Sequence, residues 1–171
     1  MRRSRAEQLA LVPADGGAPI VLFAETREPG ELATQDVFQV SPDGAYLAYA
    51  AYGSLHVRAA DASERTLPDY GRWGHMRFSP DGTYLTAVVG DPTGDHDQRV
   101  VLFTLATGAT RDLGAFSVVR QLEWVRDGVV VEAWDSAHQR ELIGELPLTG
   151  HPTTLLERPQ LAIERFVAAI V

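Results

Sequence analysis

The sequence predicts an all-β fold of repeated four-stranded antiparallel units, and three observations predict it. The turn motif Ser-Pro-Asp-Gly occurs at Ser41–Gly44 and again at Ser79–Gly82. A second, polar corner recurs at Asp15-Gly16, Asp61-Ala62, Thr107-Gly108 and Thr149-Gly150, with spacings of 46, 46 and 42 residues. Between corners lie short runs rich in valine, tyrosine, phenylalanine, leucine and threonine, and, LAIERFVAAIV at the end aside, none keeps a helical apolar stripe over ~11 residues or more. In the motif, proline presets φ for the first corner, aspartate bonds the backbone ahead of it, and glycine takes the left-handed position.

The two corner types interleave. The Ser-Pro-Asp-Gly series continues at Asp127, where the proline is lost, so Asp43, Asp81 and Asp127 stand 38 and 46 residues apart. One shared period of roughly 40 to 46 residues marks an internal repeat. With the strands of a unit called a to d, the first unit reads VFQVS, AYLAYAA, SLHVRAA and RTLPDY. The second reads GHMRFS, TYLTAVV, RVVLFTLAT and TRDLGAF, and the third VRQLEWV, GVVVEAW, ELIGELPL and TTLLER. The phase of the corners places a leading c–d hairpin over 6–24, complete units over 36–70, 73–116 and 118–158, and a trailing a strand over 161–171, all in one domain of 1–171. LAIERFVAAIV contains alanines that a helix would tolerate, but a strand a is due there.

Four-stranded antiparallel units at this period, with a tight turn between a and b, resemble the blades of a β-propeller, so the fold expected is a partial propeller of three complete blades plus a leading c–d hairpin and a trailing a strand. The segments FQVSPDGAYLAYAAYGSLHVRAAD and MRFSPDGTYLTAVVG resemble the repeat of TolB-like proteins and of the propeller domains in prolyl-oligopeptidase-type peptidases. The resemblance runs over nearly the whole chain and implies the fold. It does not assign a function, because scaffolds, receptors and enzymes all use such blades.

Composition narrows the classes. Fifteen arginines against twenty-three acidic residues give a net charge of −8, the wrong sign for a protein that tracks nucleic-acid phosphates. The basic start Met1-Arg2-Arg3-Ser4-Arg5 reads as a short solvated end, and no continuous apolar segment behind it suggests a secretory signal. Cysteine is absent, which removes disulfides, thiolate metal sites and a cysteine nucleophile. No stretch approaches the ~20 apolar residues of a membrane helix, and a cytoplasmic protein is expected.

The densest polar cluster is GDPTGDHDQR, the b–c loop of the second unit. Asp91, Asp95, His96 and Asp97 could offer oxygens to a hard cation, but they lack the spacing and closing glutamate of a calcium loop, so a solvated acidic loop able to touch a partner is the expectation. The histidines His56, His75, His96, His138 and His151 are scattered without ligand spacing, and no Gly-x-Ser-x-Gly elbow is present. Neither a metal, a cofactor nor a catalytic residue is expected. Glu123, Glu132 and Asp135 are expected to pair with Arg120 and Arg126. The aromatics Trp73, Trp124, Trp134, Tyr46, Tyr49 and Tyr84 are expected to pack between blades. A binding surface at the channel end would draw on Gln39, His75, Arg77, Arg120 and Glu123.

An arc of blades leaves apolar faces in water, and burying one valine or leucine is worth about 1.5–3 kcal/mol. The function expected is therefore a non-catalytic module for protein–protein interaction, one portion of a larger propeller completed by another chain or a second copy. The alternative is the gating propeller portion of a prolyl-oligopeptidase-type serine peptidase, with the nucleophile in a domain outside this sequence. A small-ligand receptor ring is a weaker third reading.

Overall fold

The computed structural model describes residues 5–27, 38–51, 54–67, 73–90 and 98–159. All regular structure in them is strand. The chain divides into two compact units, Met1–Ala33 and Thr34–Val171.

The first unit holds a single hairpin. β1 (Arg5–Leu11) pairs antiparallel with β2 (Ile20–Arg27), from Arg5 opposite Arg27 to Leu11 opposite Ile20, with an irregularity at Leu9/Ala10. Its corner is the expected Asp-Gly turn: Gly16 has φ +81° and donates to Pro13 O at 3.1 Å.

The second unit holds three four-stranded antiparallel blades in chain order. The first comprises β3 (Phe38–Val40), β4 (Tyr46–Ala51), β5 (Ser54–Ala59) and β6 (Glu64–Leu67). The second comprises β7 (Trp73–Phe78), β8 (Tyr84–Val89), β9 (Gln98–Thr104) and β10 (Thr110–Phe116). The third comprises β11 (Val118–Val125), β12 (Gly128–Asp135), β13 (Arg140–Pro147) and β14 (Thr153–Pro159). The expected trailing strand at 161–171 lies outside the described residues.

The Ser-Pro-Asp-Gly corners close by a hydrogen-bond set that explains each residue. Ser79 Oγ donates to Asp81 Oδ1 at 2.6 Å and accepts from Tyr84 N at 2.9 Å, while Thr83 N donates to Asp81 Oδ1 at 3.0 Å. The copy repeats this: Ser41 Oγ to Asp43 Oδ1 is 2.6 Å, Tyr46 N to Ser41 Oγ 2.8 Å and Ala45 N to Asp43 Oδ1 3.0 Å. Gly44 and Gly82 take φ of +73° and +69°, the left-handed corner that strains other residues. The serine bond, then backbone donors, hold Asp43 and Asp81 below the ordinary carboxylate pKa. The third corner is shorter, with Val125 directly opposite Gly128.

One backbone bond sets the three blades in common register. The amides of Ala60, Leu105 and Leu148 donate to Ala45 O, Thr83 O and Asp127 O at 2.8, 3.1 and 2.9 Å. Counting back from these residues makes Val57, Leu102 and Glu145 equivalent on strand c. Counting on from the acceptors makes Ala50, Val88 and Glu132 equivalent on strand b. Strands alternate faces, so each blade has a forward face toward the next blade and a rear face toward the one before.

Two apolar cores follow from that alternation. Between the first two blades, Ala48, Ala50, Leu55, Val57 and Leu67 meet Met76, Phe78, Leu85, Ala87, Val101 and Phe103. Between the second and third, Val88, Val100, Leu102 and Leu113 meet Val119, Leu122, Val129, Val131 and Leu146. Polar ties cross the same seams. Arg65 donates to Leu105 O and Ala106 O at 3.3 and 3.5 Å, and its equivalent Arg111 donates to Leu148 O at 2.8 Å. Trp124 Nε1 donates to Arg77 O at 3.0 Å, and Val119 N to Oε1 of buried Gln98 at 2.6 Å.

Candidate interaction surface

Strand a of each blade starts its sheet, and β7 lies beside both β3 and β11. This is the ridge on which the sequence placed its binding residues. Half-buried Gln39 stands opposite Ala48 on β4. His75 falls in the irregular stretch between Trp73 and Met76 and is half-buried. Arg77 folds back so that Nη1 donates to Met76 O at 2.8 Å, and its own carbonyl accepts from Trp124 and from Thr86 Oγ1 at 3.1 Å. Glu123 is exposed opposite Val130. Asp91, Asp95, His96 and Asp97 lie outside the described residues.

Arg120 behaves differently from expectation. The register of β11 skips it, between Val119 and Gln121, and its side chain crosses to β13, where Nη1 meets Glu141 Oε1 at 2.6 Å. It therefore pairs with neither Glu123 nor Glu132, which have no ion-pair or hydrogen-bond partner among the described residues. Asp135 also finds other partners: His138 Nδ1 at 2.7 Å and Arg140 Nε at 3.2 Å, with Arg140 Nη1 going on to Glu157 Oε2 at 2.7 Å. Partial desolvation raises the Asp135 pKa, but the His138 and Arg140 bonds outweigh it and hold it low. This cluster ties the b–c corner of the third blade together. Among the described residues no group of three His, Cys, Asp or Glu is placed to hold a metal.

The aromatics largely pack as expected. Tyr46 lies against the first core, while Tyr84 and Trp124 flank the second, stacked with ring centroids 6.2 Å apart. Trp134 stands half-buried on the forward face of the third blade, opposite Glu141. Nothing is described of the Trp73 side chain.

A network that sequence reasoning missed sits on the rear face of the first blade. Glu64 receives Tyr49 Oη at 2.8 Å, His56 Nδ1 at 3.1 Å and, more loosely, Arg58 Nη1 at 3.7 Å. Burial raises the Glu64 pKa, but the Tyr49 and His56 bonds, joined by the positive charges, pull it below normal. The Tyr49 and His56 rings stack at 4.9 Å, and the buried His56 Nε2 has no hydrogen-bond partner. The signal was present: period-2 alternation in SLHVRA puts His56 and Arg58 on one face, and a tight β5–β6 corner sets Arg58 opposite Glu64.

These blades have the fold of TolB-like and prolyl-oligopeptidase-type β-propeller domains. The β-propeller domain of the Trilobed protease from Pyrococcus furiosus superposes with a TM-score of 0.57 at 13% identity, over 76% of this chain and 44% of that one. A TolB-like protein from Agrobacterium tumefaciens gives 0.52 at 16% identity over 86% of this chain and 56% of that one. The acylaminoacyl peptidase from Pyrococcus horikoshii gives 0.51 at 15% identity over 92% and 31%. The chain thus spans about half or less of the length of these structures. No protein-family model and no curated relative matches the sequence.

Proposed function

We propose that this chain is a non-catalytic portion of a β-propeller that binds protein through the outer faces of its three-blade stack. One observation carries the reading. On strand d, the equivalent leucines Leu67 and Leu113 are 5% and 9% exposed beneath the following blade, whereas Leu155 at the same position of the third blade is 54% exposed. Leu156 beside it is 41% exposed, and on the first blade Phe38 and Val40 are 50% and 54% exposed. These are inter-blade positions held in water. The match to only part of each structure it resembles, 44% of one chain and 56% of the other, supports the same reading.

Light scattering on the purified protein tests it. The expected mass exceeds the 18.7 kDa of one chain, from a second copy or a bound polypeptide. A stable monomer that unfolds in one cooperative step would overturn it.

A further inference from the structure

Resting on that reading, the blade register says what the third blade's forward face accepts. At the strand-c position where Val57 and Leu102 are 4% and 5% exposed in the apolar seams, the third blade carries Glu145. At the strand-b position of Ala50 and Val88, 6% and 1% exposed, it carries Glu132. Both glutamates are half-buried and neither has a hydrogen-bond or ion-pair partner among the described residues. On strand d, Thr153 stands where Arg65 and Arg111 reach forward to the next blade's carbonyls, so the tie used at both described seams is missing here. An ordinary apolar rear face, such as the Val101 and Phe103 of the second blade, would desolvate both carboxylates without compensation.

We propose that this face docks a blade-like sheet of another polypeptide that presents arginine or lysine side chains opposite Glu132 and Glu145. The apolar part of the face, with Leu155 exposed and Trp134 half-buried beside the Arg120–Glu141 ion pair, supplies the area, and the two unpaired carboxylates select the partner by charge. The repeat itself accommodates basic side chains on a rear face, there held by Glu64. By the same register, His56 and Arg58 on the rear face of the first blade are equivalent to Val101 and Phe103.

The test uses two synthetic hairpin peptides of equal length and apolar content, one with arginine and one with glutamate at alternate positions, titrated into the full chain with tryptophan fluorescence as the readout. The arginine peptide is expected to bind at least tenfold more tightly than the glutamate peptide. The double variant Glu132→Gln/Glu145→Gln, near-isosteric and expected to keep the parent unfolding midpoint, should lose at least tenfold in affinity for it, and raised salt should weaken binding by the parent more than by the variant. Equal binding of the two peptides, or undiminished binding by the variant, would overturn the proposal. So would a parent oligomer that the variant dissolves, which would put a second copy on this face. A native mass above one chain combined with a failed peptide titration leaves the interaction module standing and removes only the cationic partner.

Discussion

Equivalent positions in successive blades should respond oppositely to the same kind of exchange, and Leu102 and Glu145 make the comparison. Leu102 is 5% exposed in the seam between the second and third blades. Leu102→Glu forfeits about 2 kcal/mol of apolar burial and places an unpartnered carboxylate where desolvation costs several kcal/mol more. The loss of about 5 kcal/mol is comparable with the ~5–15 kcal/mol net stability of a typical domain. Glu145→Leu restores the residue type of the other two blades on a half-buried face and should change stability by less than about 1 kcal/mol. Urea unfolding followed by circular dichroism at pH 7 measures both. The introduced glutamate has its folded pKa raised by burial, so its penalty is greatest at neutral pH and should shrink as the pH falls toward about 5. A Leu102→Glu protein within 1 kcal/mol of the parent, or a Glu145→Leu protein as damaged as Leu102→Glu, would refute the blade register.

Three further outcomes follow from the corners and seams. Ser79→Ala removes a hydroxyl that joins Asp81 to the Tyr84 amide and should cost about 1–3 kcal/mol in chemical denaturation, with Ser41→Ala behaving alike. Asp43, Asp61, Asp81, Glu64 and Asp135 all have folded pKa values below their ordinary ones, so their contribution is complete above the unfolded carboxylate range near 4 and is lost as the pH falls through the folded values. A thermal midpoint measured from pH 6 to pH 2 should therefore decline mainly below about pH 4, and less so in Ser79→Ala. Gly108 has φ +77°, and a Cβ there would stand 2.7 Å from Arg65 Nη1, so Gly108→Ala should cost about 1–2 kcal/mol and lower the thermal midpoint by a few degrees.

The fold was legible because its signals are local. Proline, aspartate and glycine at a corner act over four residues, and a period-2 strand shows its faces without knowledge of its neighbours. The repeated four-stranded unit therefore shows in the corner spacing. Partner choice among charged side chains is not local, and there sequence reasoning fell short. Nearness in sequence points Arg120 to Glu123 and Glu132, but an irregularity at that residue sends it to Glu141 on the third strand of its sheet. Glu64 collects Tyr49, His56 and Arg58 from two other strands, which requires the register of both hairpins. The acidic character of the third blade's forward face was written in Glu132 and Glu145. It became visible only once the bonds from Ala60, Leu105 and Leu148 had fixed which residues of the three blades are equivalent.

Hydrogen exchange at the third blade tests most directly whether its forward face is built to be covered. The rates to compare are those of amides in Gly128–Asp135 and Arg140–Pro147, in the protein as isolated with its natural complement and in the dissociated chain. Coverage stabilises the covered state by linkage, so exchange through local opening of these strands should slow at least tenfold in the assembly, while the seam between the first and second blades changes little. Equal rates at the third blade in both forms would contradict the account.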